Sequence, residues 1–204
     1  MIPYYDDGHG IQIFLGDARA VLPTVSPVDL VLTDPPYGLG RTDPVRHPKG
    51  VLQWDSAIPD DELFALVRGA GTTQILWGGN YFPLPPTKGF LIWDKDQPEQ
   101  FSLAMCELAW TNLDQPAKLF RCPVRSMTGL REHPTQKPVP LMAWCLKQVK
   151  NVQTVIDPFM GSGSTLVACK QAGLTCIGIE REEAYAEYAA RRLSQGVLFG
   201  AGEE

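Results

Sequence analysis

The hydrophobic positions of the chain fall into short uninterrupted runs, separated by polar segments or by segments rich in Gly and Pro. Runs that do not alternate with polar residues are typical of strands buried on both faces of a sheet. They predict strands at residues 11–15, 30–32, 73–77, 154–156 and 175–179. Two further runs, at residues 90–93 and 108–111, predict an antiparallel pair at a sheet edge.

Apolar residues at helical spacing lie between these strands and predict helices. One short helix follows the first strand and ends near residue 22, and Asp60 is a suitable N-cap for the next. The others cover residues 61–67, 141–150, 166–171 and 183–193, whereas residues 112–136 are predicted to be loop and the last nine a frayed tail. The alternation of strands and helices predicts a doubly wound α/β sheet, mostly parallel with an antiparallel edge, in a single domain of 204 residues.

The segment Asp34-Pro35-Pro36-Tyr37 follows the second strand directly. Proline lacks an N–H group and has a fixed φ, so the chain must leave the sheet here. An ordinary Pro-rich turn with a packed tyrosine explains the residue types. However, a carboxylate, free carbonyl oxygens and an aromatic face at a strand end also suit a planar substrate with an exocyclic amino group.

A second candidate site is the Gly-rich turn at residues 157–165, with Glu180 at the end of the next strand. Glycines allow a ligand to approach the backbone, and an acid at this position can accept both hydroxyls of a ribose. No lysine follows Gly163, which excludes a phosphate-binding Walker loop, and Leu166 departs from the dinucleotide fingerprint. A purely structural helix cap remains an alternative, although it leaves Glu180 unexplained.

Together these motifs resemble those of the DNA amino-methyltransferases, enzymes that methylate adenine N6 or cytosine N4 with S-adenosylmethionine. Asp34-Pro35-Pro36-Tyr37 is similar to their catalytic motif, and residues 131–138 are similar to the segment before their cofactor strand. The resemblance implies a cofactor site that comprises Asp17, Ala18, Thr135, Gln136, Lys137, Asp157, Phe159, Gly161, Gly163, Ser164, Thr165 and Glu180. In it, Glu180 would hold the ribose, Asp17 would lie beside the adenine, and residues 135–137 would approach the methionine carboxylate. The methionine end would be lined by Asp157, Phe159, Gly161 and Gly163, with Ser164 and Thr165 as further polar contacts.

The order of the motifs, with the turn at Gly16-Asp17-Ala18 first, the catalytic segment next and the Gly-rich turn late, resembles the permuted beta class of this family. The resemblance implies a permuted Rossmann-like fold and double-stranded DNA as partner, with a flipped base stacked on Tyr37 and its amine held by Asp34 and the Pro35 carbonyl. Asp rather than Ser at position 34 favours adenine N6. Cytosine N4 is the alternative, and a catalytically silent cofactor-binding subunit is a weaker one.

The net charge of −5 argues against a general affinity for polyanions, so any attraction to DNA must be local. Basic residues concentrate in two segments, predicted to be DNA-contacting loops at residues 39–59 and 112–136. The proposed contacts are Arg41, Arg46, Lys49, Lys118, Arg121 and Arg125. Little room remains for a separate target-recognition domain, so a partner subunit or a homodimer is expected to complete the grip on DNA.

The remaining composition excludes several classes of protein. No apolar segment approaches the roughly 18 residues of a membrane span, and no signal peptide is indicated. The five cysteines form no Cys-x-x-Cys pair and are interpreted as reduced core residues, and the three histidines lack metal-ligand spacing. The expectation is a cytoplasmic protein without a metal.

Overall fold

The computed structural model describes residues 1–38, 58–100, 104–123 and 136–195. The strands in this part of the chain form one nine-stranded sheet in the order β1-β2-β9-β8-β3-β4-β6-β5-β7. They are β1 (Tyr5–Asp6), β2 (Ile11–Leu15), β3 (Val28–Thr33), β4 (Gly71–Trp77), β5 (Phe90–Asp94), β6 (Cys106–Thr111), β7 (Lys118–Arg121), β8 (Thr154–Asp157) and β9 (Thr175–Glu180). The α-helices are α1 (Ala18–Val21), α2 (Asp61–Gly69), α3 (Val139–Leu146), α4 (Ser164–Ala172) and α5 (Glu183–Ser194).

The middle of the sheet is parallel, as predicted. Strands β2, β9, β8, β3 and β4 pair in parallel, and β6 is antiparallel to both of its neighbours, β4 and β5. From the adjacent strands β3 and β8 the chain moves outward in opposite directions, to β4 and to β9 respectively. Such a reversal opens a crevice at the carboxyl ends of the two strands, where ligands bind in open α/β sheets.

Helices cover both faces of the sheet. On one face, side chains of α3, α4 and α5 pack against inward-pointing residues such as Ile13, Leu30 and Ile75. On the other face, α1 and α2 pack against Phe14, Val31 and their neighbours. Because the central strands are buried on both sides, they carry apolar residues at successive positions, which is why the uninterrupted runs predicted them correctly.

The carboxylate of Asp29 fixes the register between β3 and β8. Its Oδ2 accepts hydrogen bonds from the backbone N–H groups of Gln153 and Thr154 and from the Thr154 hydroxyl, each at 2.9 Å. The same carboxylate thereby satisfies backbone groups that would otherwise have no partner at the start of β8. This contact determines which residues meet at the opposite, functional end of the two strands.

The structure corrects the sequence interpretation at three elements. Residues 118–121, predicted as loop, form β7, which pairs in parallel with β5 at the sheet edge. This strand is short and three of its four residues are exposed, so its apolar pattern is weak, although Phe120 packs on Trp144 at 5.3 Å between ring centroids. The two-residue strand β1 was also missed. Helix α3 begins earlier and ends at Leu146, before the predicted end at residue 150.

Four simpler predictions can be compared with the described residues. Cys145, Cys169 and Cys176 are buried free thiols, as expected, whereas Cys106 is exposed. No helix within the described ranges has both the length and the apolar character needed to cross a bilayer. The same ranges contain no group of three or more His, Cys, Asp or Glu side chains placed to hold a metal ion. Asp60 caps α2 as predicted, accepting a hydrogen bond from the Leu63 backbone at 3.0 Å.

Gly79, which follows β4, provides a test of this packing. A Cβ atom at this position would lie 2.4 Å from Trp110 Cβ and 2.8 Å from its backbone nitrogen. Because backbone cannot yield as a side-chain tip can, Gly79→Ala should destabilise the fold by about 1–3 kcal/mol. The control Gly69→Ala, with no atom within 4 Å, should be neutral or slightly stabilising. Urea unfolding of both variants decides, and equal midpoints would contradict the packing.

Candidate active site

A pocket of about 500 Å³ opens at the carboxyl ends of β2, β3, β8 and β9. Its volume falls within the range of small-molecule sites, roughly 300–1,000 Å³. Most of the residues predicted for the two halves of the site line it together: Asp17, Ala18, Asp34, Pro35, Pro36, Tyr37, Gln136, Lys137, Asp157, Phe159, Gly161, Ser164, Thr165 and Glu180. Thr135 lies outside the described residues.

Asp34 stands directly after β3 with a side chain that is 22% exposed. Its Oδ1 accepts a hydrogen bond from the Tyr37 hydroxyl, and its Oδ2 accepts one from Lys137 Nζ at 2.5 Å. Burial raises the pKa of the Asp34 carboxyl, and the neighbouring Lys137 charge opposes that rise. The carboxylate is therefore a partly desolvated acceptor whose two oxygens each already have a donor.

Lys137 makes contacts that the sequence did not indicate. Its side chain is only 5% exposed, and its Nζ lies between Asp34 Oδ2 and Glu107 Oε2, at 2.5 and 2.9 Å. Burial would lower the pKa of the lysine, but the two carboxylates hold it well above its usual value. Sequence analysis assigned Lys137 to the methionine carboxylate of a cofactor. The contact between Lys137 and the methionine carboxylate stays a prediction. In its absence, the Lys137 ammonium already has two carboxylate partners, Asp34 and Glu107.

Glu107 is an acidic residue of the pocket lining that the sequence analysis did not identify. It lies in β6 beside the pocket, and its Oε1 forms an ion pair with Lys95 at 2.6 Å. Burial alone would raise the pKa of Glu107, yet the charges of Lys137 and Lys95 lower it to about 2. The available signal was an acid immediately before the apolar run at residues 108–111, in a strand that the sequence predicted to lie at a sheet edge, where exposed acids are unremarkable.

The Tyr37 ring lies in an aromatic cluster. It stacks on Tyr81 with 4.7 Å between centroids and 19° between planes, and it meets Phe82 edge-on at 6.2 Å. A Cβ on Gly78 would lie 2.1 Å from Tyr37 Cε1, and Gly78 has a φ of +70°, so only glycine suits this position. The end of β4 thus shapes the wall against which Tyr37 rests.

Asp157 ends β8 and is 3% exposed. Its Oδ1 accepts hydrogen bonds from the Thr33 hydroxyl at 2.6 Å and from the Phe159 backbone N–H at 3.2 Å. Burial raises the pKa of the Asp157 carboxyl to about 6, even though hydrogen bonds from Thr165, Thr33 and Phe159 act to lower it. The carboxylate links the ends of β3 and β8 and orders the Gly-rich turn that follows.

Glu180 occupies the end of β9 and lines the same pocket as Asp34. Its oxygens accept hydrogen bonds from the backbone N–H groups of Gly161, at 3.0 Å, and Glu182, at 2.9 Å. Burial raises the pKa of the carboxyl, and these hydrogen bonds oppose the rise. A fixed carboxylate facing the pocket is what a pair of ribose hydroxyls would need as acceptor.

Apart from Glu107 Oε2, which forms the ion pair with Lys137, two polar atoms of the pocket lining are buried and have no hydrogen-bond partner among the described residues. They are the Ser164 hydroxyl, at the start of α4, and Gln136 Oε1. Buried groups of this kind usually find a partner, so both are candidates to contact a bound ligand. Gly163, by contrast, is not part of the lining. Its Cβ position is 2.9 Å from Ala189 Cβ, which gives this glycine a packing role against α5.

Comparison with known proteins identifies the family. A family model described as "DNA methylase" matches residues 92–191. The putative methylase YubD of Escherichia coli K12 is 41% identical over 200 residues, an alignment that covers 88% of each chain. The chain belongs to the DNA amino-methyltransferases. A type II methyltransferase of Lactococcus lactis subsp. cremoris, M2.LlaDCHI, is 40% identical over 70 residues, and this match spans 26% of the length of that protein.

Two solved methyltransferase structures have the same fold. The structure of M1.HpyAVI with S-adenosylmethionine has a TM-score of 0.64 at 23% identity, covering 90% of this chain and 98% of that one. The PvuII DNA methyltransferase, described as cytosine-N4-specific, has a TM-score of 0.66 at 15% identity, covering 93% and 88%. This amino-methyltransferase therefore has the Rossmann-like methyltransferase fold that its motif order implied.

The basic residues proposed to contact DNA are only partly within the described structure. Lys118 and Arg121 lie on the edge strand β7 and do not line the pocket. Lys118 Nζ donates to Gln148 at 2.9 Å, and Arg121 Nε donates to Asp94 at 2.8 Å. The other members of the set, Arg41, Arg46, Lys49 and Arg125, fall outside the described residues. The DNA contacts of this amino-methyltransferase stay a prediction.

The raised pKa of Asp157 predicts a pH-dependent stability. A carboxyl with a pKa of about 6 when folded and 3.8 when unfolded stabilises the fold below the lower value. That contribution is lost as the pH rises through about 6. Relative to wild type, Asp157→Asn should therefore gain roughly 2 kcal/mol between about pH 4.5 and about pH 7.5. Urea unfolding of both proteins at both pH values measures this, and a constant difference would contradict the assignment.

Proposed function

We propose that the protein transfers a methyl group from S-adenosylmethionine to the exocyclic N6 amine of adenine in double-stranded DNA. One observation carries this proposal: Asp34 at the end of β3 and Asp157 at the end of β8 open onto the same pocket. An amine acceptor and a cofactor site in one cleft are what direct transfer between two bound molecules requires.

The residues of the pocket suit S-adenosylmethionine. The ligand carries a ribose, an adenine, an amino acid tail and a cationic sulfonium, and it supplies the methyl group when bound. Glu180 would accept hydrogen bonds from the ribose hydroxyls, and Asp17 would lie beside the adenine. The buried hydroxyl of Ser164 and the amide oxygen of Gln136, which have no partner in the described structure, would bind the polar tail.

The 34–37 segment would hold the target base. With the base flipped from the duplex, Asp34 and the Pro35 carbonyl would accept hydrogen bonds from its amino group. These acceptors would draw the nitrogen toward tetrahedral geometry and so free its lone pair for transfer. The N–C bond would form as the S–C bond breaks, and the Asp34 carboxylate would accept the proton released by the nitrogen. Positioning, rather than a covalent nucleophile, accounts for the rate.

The second candidate is methylation of cytosine N4. The same acceptors serve either amine, and the fold is shared with the PvuII enzyme, which is described as cytosine-N4-specific. Asp rather than Ser at position 34 of the catalytic motif favours adenine. Mass spectrometry of nucleosides from DNA treated with the protein and isotopically labelled S-adenosylmethionine separates the two products.

Asp34→Asn tests the role of the carboxylate. The variant keeps the size of the side chain but removes the charged acceptor, so turnover should fall by roughly 100-fold or more, while cofactor affinity should stay within about twofold. Calorimetry with S-adenosylmethionine and a methylation assay measure the two quantities separately. Turnover near that of wild type would remove Asp34 from the mechanism.

Glu180→Ala tests the cofactor half of the pocket. Ribose hydroxyls left without an acceptor should weaken S-adenosylmethionine binding by about 1–3 kcal/mol. Glu187→Ala is a matched control, since it removes an exposed carboxylate of α5 that does not line this pocket. Calorimetry on both folded variants decides, and an unchanged dissociation constant in Glu180→Ala would show that this acid only orders the turn.

A further inference from the structure

Four charged side chains form a continuous row beside the target-base half of the pocket. Lys95 Nζ contacts Glu107 Oε1 at 2.6 Å, and Lys137 Nζ contacts Glu107 Oε2 at 2.9 Å and Asp34 Oδ2 at 2.5 Å. The side chain of Lys137 is 5% exposed, the lowest in the row. The row contains two acids and two lysines and is therefore electrically neutral. Within it, the Lys137 ammonium is shared between the carboxylates of Asp34 and Glu107.

This sharing matters because Asp34 must release an oxygen for the target amine. Its Oδ1 has the Tyr37 hydroxyl as donor, and its Oδ2 has the Lys137 ammonium. A carboxylate oxygen can accept more than one hydrogen bond, but a full positive charge at 2.5 Å competes strongly with a neutral amine. Turnover therefore depends on where the Lys137 ammonium rests.

The surroundings limit where that ammonium can go. The rings of Tyr37 and Trp77 lie 5.7 and 5.8 Å from Lys137 Nζ, and Trp77 is fully buried. Nζ thus sits among two rings and two carboxylates, and a shift away from Asp34 is favourable only toward Glu107. Lys95 lies on the far side of Glu107 and keeps that carboxylate in place.

We propose that Glu107 is a positioning residue, which takes up the Lys137 ammonium and so releases Asp34 Oδ2 to the amino group of the target base. This inference rests on the proposed function, because it assigns a step to the same amine acceptor. It gives Lys137 a role at the target base rather than at the methionine carboxylate. Neither Glu107 nor Lys137 exchanges a covalent bond with substrate.

The proposal predicts that one substitution suppresses another. In Glu107→Gln the ammonium loses its second carboxylate and rests on Asp34, so kcat should fall roughly 10- to 100-fold, the range for a lost hydrogen bond to a charged group. Adding Lys137→Met removes the competing charge. The double variant should therefore turn over faster than Glu107→Gln alone, and both should bind S-adenosylmethionine within about twofold of wild type.

The pH profile adds a readout that a purely structural role would not change. The charged or titratable groups that face Asp34 are Tyr37, Glu107, Lys137 and Asp157. Removing the negative charge of Glu107 should move the acid limb of kcat to lower pH, since the ammonium then acts on Asp34 alone. Adding Lys137→Met removes the positive charge and should move the limb back to higher pH.

The experiment compares wild type, Glu107→Gln, the double variant and Lys88→Met by pH-dependent kinetics and calorimetry. Lys88 is an exposed lysine paired with Asp114 and lies outside the pocket, so Lys88→Met should match wild type. The double variant removes one positive and one negative charge together, so the row of charged side chains stays neutral. It can therefore be tested even if Lys137→Met alone fails to fold.

Several outcomes would overturn the inference. A double variant slower than Glu107→Gln would show that the two residues act independently or only stabilise the fold. Loss of S-adenosylmethionine affinity in the double variant but not in Glu107→Gln would return Lys137 to the cofactor. An active wild type with unchanged Glu107→Gln kinetics refutes this inference alone, whereas a wild type that methylates no DNA amine refutes the proposed function.

Discussion

The parallel pairing of β3 with β8 is the constraint on which the rest of the site depends. Asp29 fixes the register at one end of the pair, and the hydrogen bond from the Thr33 hydroxyl to Asp157, at 2.6 Å, joins the strands at the other. Neighbouring strands lie about 4.8 Å apart, so the residues that leave them enter one crevice. The 34–37 segment and the 157–165 turn, far apart in sequence, meet there because of this pairing.

The second constraint is electrostatic. The crevice buries several charges, which is costly unless each has a partner. The lysine charges hold the pKa of Glu107 at about 2, while burial raises the pKa of Asp34 and brings that of Asp157 to about 6. Glu107 therefore stays ionised, whereas the charge of Asp34 depends on its neighbours. Such differences between adjacent acids are typical of functional sites.

Much of this architecture could be predicted from the chain. The central strands are buried on both faces and carry uninterrupted apolar runs, and Asp34-Pro35-Pro36-Tyr37 and Glu180 follow them at positions that the topology brings together. Strand β7 could not be found because a short edge strand that is mostly exposed needs little apolar pattern. Glu107 was missed for a related reason: its partner, Lys137, is thirty residues away, and only the pairing of β6 with β4 brings the two to the same crevice. The packing role of Gly163 likewise depends on α5, which no local pattern reveals.

The role of Asp34 as acceptor of the target amine is tested by a crystal structure with S-adenosylhomocysteine and a duplex that carries the target site. We expect a flipped adenine whose amino nitrogen lies within about 3.2 Å of Asp34 Oδ2 and of the Pro35 carbonyl oxygen, with Lys137 Nζ bound to Glu107. We also expect Glu180 within hydrogen-bond distance of the ribose hydroxyls. A target amine without contact to Asp34, or Lys137 bound to the carboxylate of the cofactor, would contradict this assignment.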